Sequence, residues 1–205
     1  MFVQYYSKLV VWHLRRKDPA SLLAQRVSNL ASPVSDFRIL LRYYGLVPLV
    51  QWIINSEQHP HKNSYIQQLV RLQNVCNVVY YPLEHIYWLA LHGVVGIADK
   101  TRDRIGMWSC RCWALSVVLY MFQLVEEKKL LDHRKAKLSK DNDKKQLAVL
   151  KQDYTDWILN LVINCSYFPL TVHWSLESSA FPDVGVGLFG SIAAIAQLYS
   201  AWKAT

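Results

Sequence analysis

Three ionisable residues lie inside otherwise apolar stretches and are the first candidates for chemistry. Glu84 and His85 stand in YYPLEHIYWLALHG, and Arg111 stands in the apolar run Ile105–Val125. Ionisable groups at membrane depth are costly, so they pair with one another or line an aqueous path. The sequence leaves two interpretations open. A packed Glu84–Arg111 ion pair is favoured, and a polar pathway lined by Glu84, His85 and Arg111 is the alternative.

Other reactive side chains do not form a recognisable centre. His59 and His61 lie in a polar loop, and a metal site needs more ligands than these two. The four cysteines lie in apolar runs, which favours packed thiols, and two of them are only two residues apart (Cys76, Cys110, Cys112 and Cys165). The sequence contains no glycine-rich phosphate loop, nucleophile elbow or His/carboxylate metal motif. We therefore expect no enzymatic activity, no catalytic residue, no metal and no cofactor.

Composition indicates a lipid partner. The formal net charge is +8, 52% of the residues are hydrophobic, and there are eight Trp and twelve Tyr. A basic chain suits an anionic partner, either nucleic acid or a lipid surface. The basic residues are spread among apolar helices and do not gather on a recognisable module, so nucleic-acid binding is not expected.

The stretch Pro19–Tyr44 has the spacing of an amphipathic helix. Its apolar residues recur at alternating steps of four and three and form a stripe about 100° wide: Leu23, Val27, Leu30, Val34, Phe37, Leu41 and Tyr44. Asp18 is the expected N-cap, and Gly45 is expected to end the unit. Because Pro33 deletes a backbone donor, with Ser32 as a cap before it, we predict two short helices or one kinked helix.

Three arginines lie at the edges of that stripe. Arg26 and Arg38 flank it and Arg42 lies further round, so their stems can follow apolar surface while their heads reach lipid phosphates. A basic-rimmed amphipathic helix is typical of a segment lying in a membrane interface. An amphipathic helix packed on its own protein's core is the alternative. The sequence predicts an anionic phospholipid membrane as partner, with the stripe inserted and the arginines at the headgroups.

Two of the other apolar runs are long enough to cross a bilayer. These are Ile105–Val125, with a buried bundle helix as its alternative, and Val184–Trp202, the best candidate because it carries no charge. Trp157–Trp174 is also uncharged and has a Trp at each end, as in interfacial belts. Small residues in the last run allow close helix contact, either between copies or within the chain: Gly187, Gly190, Ser191 and Ala194.

The predicted fold is all-α, a membrane-associated helical bundle with an N-terminal amphipathic region and a C-terminal transmembrane helix. We expect membrane-surface helices in 1–64, a helical hairpin in 65–125 that is embedded or packed in a bundle, a charged cytosolic connection in 126–156, and apolar helices in 157–205 with a span at 184–202. Lys and Arg collect before residue 72 and in 126–156. The positive-inside tendency then places both regions and both termini in the cytosol, with the 175–183 turn opposite.

Five stretches in this order resemble the peroxin-11 family of peroxisomal membrane-elongation proteins, with the gamma-type or fungal C-type branch nearest. They are YYSKLVVWHL, LAQRVSNLASPVSDFRILLRYYG, YYPLEHIYWLALHG, FPLTVHWS and GVGLFGSIAAIAQLYSAW, and together they cover nearly the whole chain. Pro33 departs from what the family tends to keep as a continuous helix.

The resemblance implies an integral protein of the peroxisomal membrane that starts peroxisome proliferation and fission. It further implies homo-oligomers, association with related family members, and action with a fission adaptor and a dynamin-related GTPase. In that scheme the stripe from Leu23 to Leu41, rimmed by Arg26, Arg38 and Arg42, enters the cytosolic leaflet as a wedge. The alternative function is a pore-forming peroxisomal membrane channel for small metabolites.

Overall fold

A computed structural model describes residues 1–141 and 144–203, with the side chains of 139–141 excepted. The described residues form six helices and no strand, which confirms the all-α prediction. The helices are α1 (Phe2–Lys17), α2 (Leu22–Gln58), α3 (Ser64–Leu91), α4 (Asp99–Asp141), α5 (Lys144–Ser175) and α6 (Asp183–Lys203).

The connections between the helices carry local capping chemistry. Ser21 caps α2 by accepting a hydrogen bond from the Ala24 amide at 3.4 Å. The expectation that Asp18 is this cap is wrong, because its carboxylate accepts from the Ala20 amide within the α1–α2 turn. Asn63 caps α3 through the Tyr65 and Ile66 amides. Gly93, with φ of 70°, ends the turn after α3 in a conformation that side chains other than glycine rarely adopt.

Helix α2 is longer than its sequence predicts. It runs without interruption through Pro33, Gly45 and Pro48, so of the two alternatives at Pro33 the pair of short helices is wrong, and the predicted end at Gly45 is wrong as well. A proline removes one backbone hydrogen bond but leaves those around it intact. Where the surroundings are apolar, unpaired backbone groups cost more than the proline does, which favours continuing the helix.

The six helices form a closed ring. Each helix packs against the next in the chain, and α6 packs against α1. Side chains of non-neighbouring helices meet in the interior of this ring. Neighbours run antiparallel, as shown for α2 and α3 by the contacts of Gly45 with Tyr81 and of Glu57 with Arg71.

One part of the ring interior is filled by an apolar core. Its buried residues come from α1, α4, α5 and α6: Tyr5, Val117, Tyr167, Leu170, Val186 and Ala193. Trp113 and Trp174 stack beside this core with ring centroids 5.8 Å apart. Large buried aromatic side chains contribute much of the packing energy of such a core.

The charged residues 126–141 and 144–156 continue the helices α4 and α5. The expected boundaries at 125 and 156 both lie inside helices, so the structure has no break there. Arg134 pairs with Asp153 at 2.7 Å across the two helices, and Lys128 pairs with Asp132 along α4. Exposed pairs of this kind contribute little stability each. Tyr154 donates a hydrogen bond to Asp132, which raises the pKa of the Tyr154 phenol.

Candidate membrane-facing site

The apolar stripe of α2 faces outward along most of its length. Leu23, Leu30, Phe37, Leu41 and Tyr44 are each more than half exposed. Val27 and Val34 are partly covered, and Ala24 is the one buried residue that the structure describes in this helix. Contiguous exposed apolar surface marks an interaction site with protein or membrane. The protein's own core does not cover this stripe.

The N-terminal part of α2 extends past its neighbour α3. Gly45 contacts Tyr81, and Tyr43 stacks on His85 with ring centroids 3.6 Å apart. In this antiparallel register, the last residue of α3, Leu91, lies level with about Ser35 of α2. Residues 22–34 therefore extend beyond α3 and run beside α1, to which Ser35 is linked by a 2.8 Å hydrogen bond from Gln4.

The three arginines of the expected rim have different surroundings. Arg26 is exposed and lies on the same part of α2 as Leu23 and Leu30. Arg38 turns inward, donates a 3.0 Å hydrogen bond to the Tyr5 hydroxyl, and lies over the Tyr5 ring. Arg42 also turns inward. Of the three, only Arg26 is placed as a headgroup contact requires.

Arg42 forms the centre of a polar cluster between α2 and α3. Its guanidinium pairs with Glu84 and donates to the Tyr80 hydroxyl, and Tyr80 in turn donates to Glu84 at 2.9 Å. The side chains of Arg42 and Glu84 are only 19% and 14% exposed. A charged pair this far from water is held by its mutual attraction and its extra hydrogen bond, and removing one partner strands the other.

The expected Glu84–Arg111 pair is wrong, because Glu84 pairs with Arg42. Ser109 faces α3 and donates a 3.4 Å hydrogen bond to the Tyr80 carbonyl. Arg111 follows Ser109 by two residues, and residues at that spacing lie on different sides of a helix. The Arg111 side chain is therefore exposed and does not face α3. It donates to the Ser175 carbonyl at 3.3 Å and lies over the Trp108 ring. Glu84 and His85 thus lie on the α2 side of α3, and Arg111 lies apart from them.

The small residues of α6 pack against α1 of the same chain. Gly187, Gly190, Ser191 and Ala194 are all buried. A methyl group at Gly190 would overlap the Tyr5 ring, and one at Gly187 would lie 3.1 Å from Leu9. Of the two uses left open by the sequence, the structure therefore shows contact within the chain at these positions. The opposite side of α6 is apolar and exposed.

The isolated histidines and cysteines have ordinary local roles. His61 accepts a 3.0 Å hydrogen bond from the Asn63 amide in the loop before α3. The four cysteines are unpaired, and Cys76 is buried. In the described part of the chain, no group of three or more His, Cys, Asp and Glu side chains could hold a metal ion.

A cavity of about 690 Å³ lies among helices α1 to α5. Of the residues of the alternative polar pathway, Glu84 lines this cavity, and His85 and Arg111 do not. Side chains from five helices line it, including Gln4, Lys8, Arg38, Arg42, Tyr80, Glu84, Asp103, Ser109, Trp113, Trp174 and Glu177. Trp113 also packs against the apolar core, so the core closes the cavity on that side. The sequence showed that arginines and a glutamate lie in apolar helices, but it did not show which residues they pair with.

Three of the described helices are long and apolar enough to cross a membrane. They are α2, the part of α4 within Asp99–Leu138, and α6. The predicted runs Ile105–Val125 and Val184–Trp202 lie in two of them. Helix α2 was expected only to lie in the interface, and α5, which contains 157–174, does not meet the same test of length and composition.

The basic residues before residue 72 do not all lie on one side of the fold, since Lys62 lines a cavity with Arg134 and Lys137 of the second basic region, whereas those of α1 lie elsewhere. Lys8 pairs with Asp183 at 2.7 Å, which brings the basic end of α1 close to the 175–183 turn. Arg134 and Asp153 lie toward the other end of α5. The structure therefore gives no support to a single basic side opposite that turn.

The sequence is similar to known proteins over nearly its whole length. The profile of the family described as peroxisomal biogenesis factor 11 (PEX11) matches residues 2–202. Human peroxisomal membrane protein 11C is 25% identical over 215 residues, covering 98% of this chain and 86% of the human protein. An uncharacterised protein of Schizosaccharomyces pombe is 28% identical over 189 residues, covering 92% of this chain and 82% of its own length. No solved structure matches. With a family profile matched from the first helix to the last, the chain belongs to the peroxisomal biogenesis factor 11 family.

Proposed function

We propose that this chain is an integral protein of the peroxisomal membrane that elongates the membrane by inserting α2 into one leaflet, which initiates proliferation and fission. The supporting observation is the outward apolar stripe of α2, above all Leu23 and Leu30 on the part of the helix that extends past α3, followed by the exposed Phe37. Family membership supports a role in peroxisome biogenesis. That role requires no reaction, in keeping with the expectation that the chain is not an enzyme.

The energetics favour insertion of this segment. Burying one Leu or Phe side chain contributes roughly 1.5–3 kcal/mol. Arg26 adds about 1 kcal/mol at an anionic leaflet. Because α2 is already a helix within the fold, insertion does not also have to supply the free energy of forming it. Filling the headgroup region of one leaflet and not the other favours positive curvature.

Tubulation of vesicles by the full-length protein tests the wedge. Reconstituted protein with Leu30→Glu is expected to tubulate vesicles of phosphatidylcholine and phosphatidylserine much less than the wild type. Asn29→Glu is the matched control, because Asn29 is exposed on the same helix and the change in charge is the same. Equal tubulation by the two variants would remove the wedge.

We extend the proposal to partners. A second copy and related family members would associate through the outward row of α6, which includes Leu188, Ile195 and Leu198, since the small-residue side is covered by α1. Self-association would bring several inserted α2 helices close together. Their local effects on curvature would then add up and draw the membrane into a tubule. A fission adaptor and a dynamin-related GTPase would act on that tubule. Co-purification of tagged and untagged copies from membranes tests the first step.

A pore for small metabolites is the second candidate, and the cavity inside the closed ring favours it. Glu84 and Arg42 line that cavity, as an aqueous path through apolar helices would require. Conduction would need Trp113 and the core behind it to move aside. Planar-bilayer conductance that changes with Glu84→Gln supports the pore, and absence of any conductance from functional vesicle-tubulating protein removes it.

A further inference from the structure

The cavity inside the ring contains a cation without an anionic partner. Arg38 lines the cavity, yet among the described residues it forms no salt bridge, and its hydrogen bond goes to the neutral Tyr5 hydroxyl. Its Nε is buried and has no acceptor in the described part of the chain. A partly buried guanidinium with a buried, unpaired Nε and no anionic partner would be stabilised by an anion in the cavity.

The neighbouring charges do not neutralise Arg38. Glu84 is held by Arg42, and Lys8 is held by Asp183 outside the cavity wall. Asp103 pairs with Arg102, and Glu177 lies exposed in the turn after α5. Of the three cations that line the cavity, Arg38 is therefore the one that forms no ion pair among the described residues.

Two buried acceptor oxygens of residues that line the cavity restrict the chemistry of the ligand further. Glu84 Oε2 and Gln4 Oε1 are buried without a donor among the described residues. An oxyanion alone would satisfy Arg38 and leave both oxygens unpaired. A ligand that carries an oxyanion and hydroxyl donors would satisfy all three groups, because a phosphate accepts the guanidinium's N–H bonds and sugar or polyol hydroxyls donate.

We infer that the cavity is a binding site for a phosphate that carries hydroxyl groups, with Arg38 as the group that binds the phosphate. A phosphoinositol is this chemistry, either as the headgroup of phosphatidylinositol or as free inositol phosphate. The volume of about 690 Å³ accommodates such a headgroup, and Trp113 and Trp174 provide apolar surface on the same wall. The site lies apart from the outward stripe of α2, so it does not depend on the proposed wedge.

Ligand binding by the detergent-solubilised full-length protein tests this site. Native mass spectrometry with phosphatidylinositol and thermal shift with inositol 1-phosphate are the two arms. A response to the lipid alone assigns the membrane source, and a response to the free phosphate assigns the soluble one; both support the site. In either arm, Arg38→Gln should bind about tenfold more weakly. Arg111→Gln, an exposed arginine outside the cavity, should bind like the wild type.

A second variant distinguishes weaker binding from a loss of the fold. Arg38→Lys keeps the charge beside Tyr5 and loses the planar fork that suits phosphate, so it should fold and still bind more weakly. Circular dichroism and gel filtration check the fold of each variant. Equal binding by Arg38→Lys, Arg38→Gln and Arg111→Gln, or no binding of either probe by folded wild-type protein, overturns the inference.

Discussion

The ring of Tyr5 lies directly across Gly190, so that α1 and α6 approach closely where the glycine has no side chain. Tyr5 is almost fully buried by this contact and belongs to the apolar core. The contact joins the first helix to the last and closes the ring. It also occupies the small-residue side of the most apolar helix, which leaves the opposite side of α6 facing outward.

Gly190→Ala is expected to destabilise the protein by about 1–3 kcal/mol, because the added methyl overlaps a buried ring in a packed core. Thermal unfolding in detergent measures the loss. Gly96→Ala is the matched control, since a methyl group there meets nothing within 4 Å and should have little effect. Similar melting temperatures for the two variants would contradict the close approach of α1 and α6.

Arg42→Gln and Glu84→Gln should each cost about 3 kcal/mol, because each strands a partner that is largely shielded from water. The double variant should cost less than the sum of the two, which a double-mutant cycle on unfolding free energies would measure. Arg111→Gln should change stability by less than about 1 kcal/mol. Strict additivity would show that Arg42 and Glu84 are not partners.

Cysteine cross-linking between copies tests which side of α6 faces outward. Ile195→Cys should give a disulfide-linked dimer on oxidation in membranes, because Ile195 is 55% exposed on the proposed contact row. Ala194→Cys should not, because Ala194 is only 5% exposed and is covered within its own chain. Non-reducing gels compare the two. Dimers from position 194 alone would mean that the small-residue side joins copies after all.

Periodicity and composition predicted an all-helical fold and its apolar runs, and five stretches of sequence in order carried the family resemblance. The predicted stripe from Leu23 to Tyr44 does face outward for most of its residues, because a helix fixes which side chains share a side. The best predicted span, 184–202, lies within α6. These features depend on residues within a few helical turns of one another, so they can be predicted from one sequence.

Partnerships between distant helices could not be read from the sequence. Glu84 had several arginines as possible partners, and only the antiparallel packing of α2 on α3 selects Arg42. The absence of a side chain at Gly190 predicted close packing with another helix, but it did not identify that helix. Pro33 suggested a break from local chemistry, but the surrounding helix continues through it. The cavity around Arg38 arises from five helices meeting and has no local signal.

Lipid contact at position 30 tests the central claim most directly. A bimane label on Leu30→Cys, in a background with the four native cysteines replaced, would be measured in vesicles containing brominated lipid. Because Leu30 is 57% exposed on the outward stripe, quenching there should clearly exceed quenching of the same label on Asn29→Cys, which lies off the stripe. Absence of quenching at both positions would contradict insertion of α2 into the bilayer, and equal quenching at both would contradict insertion by the stripe alone.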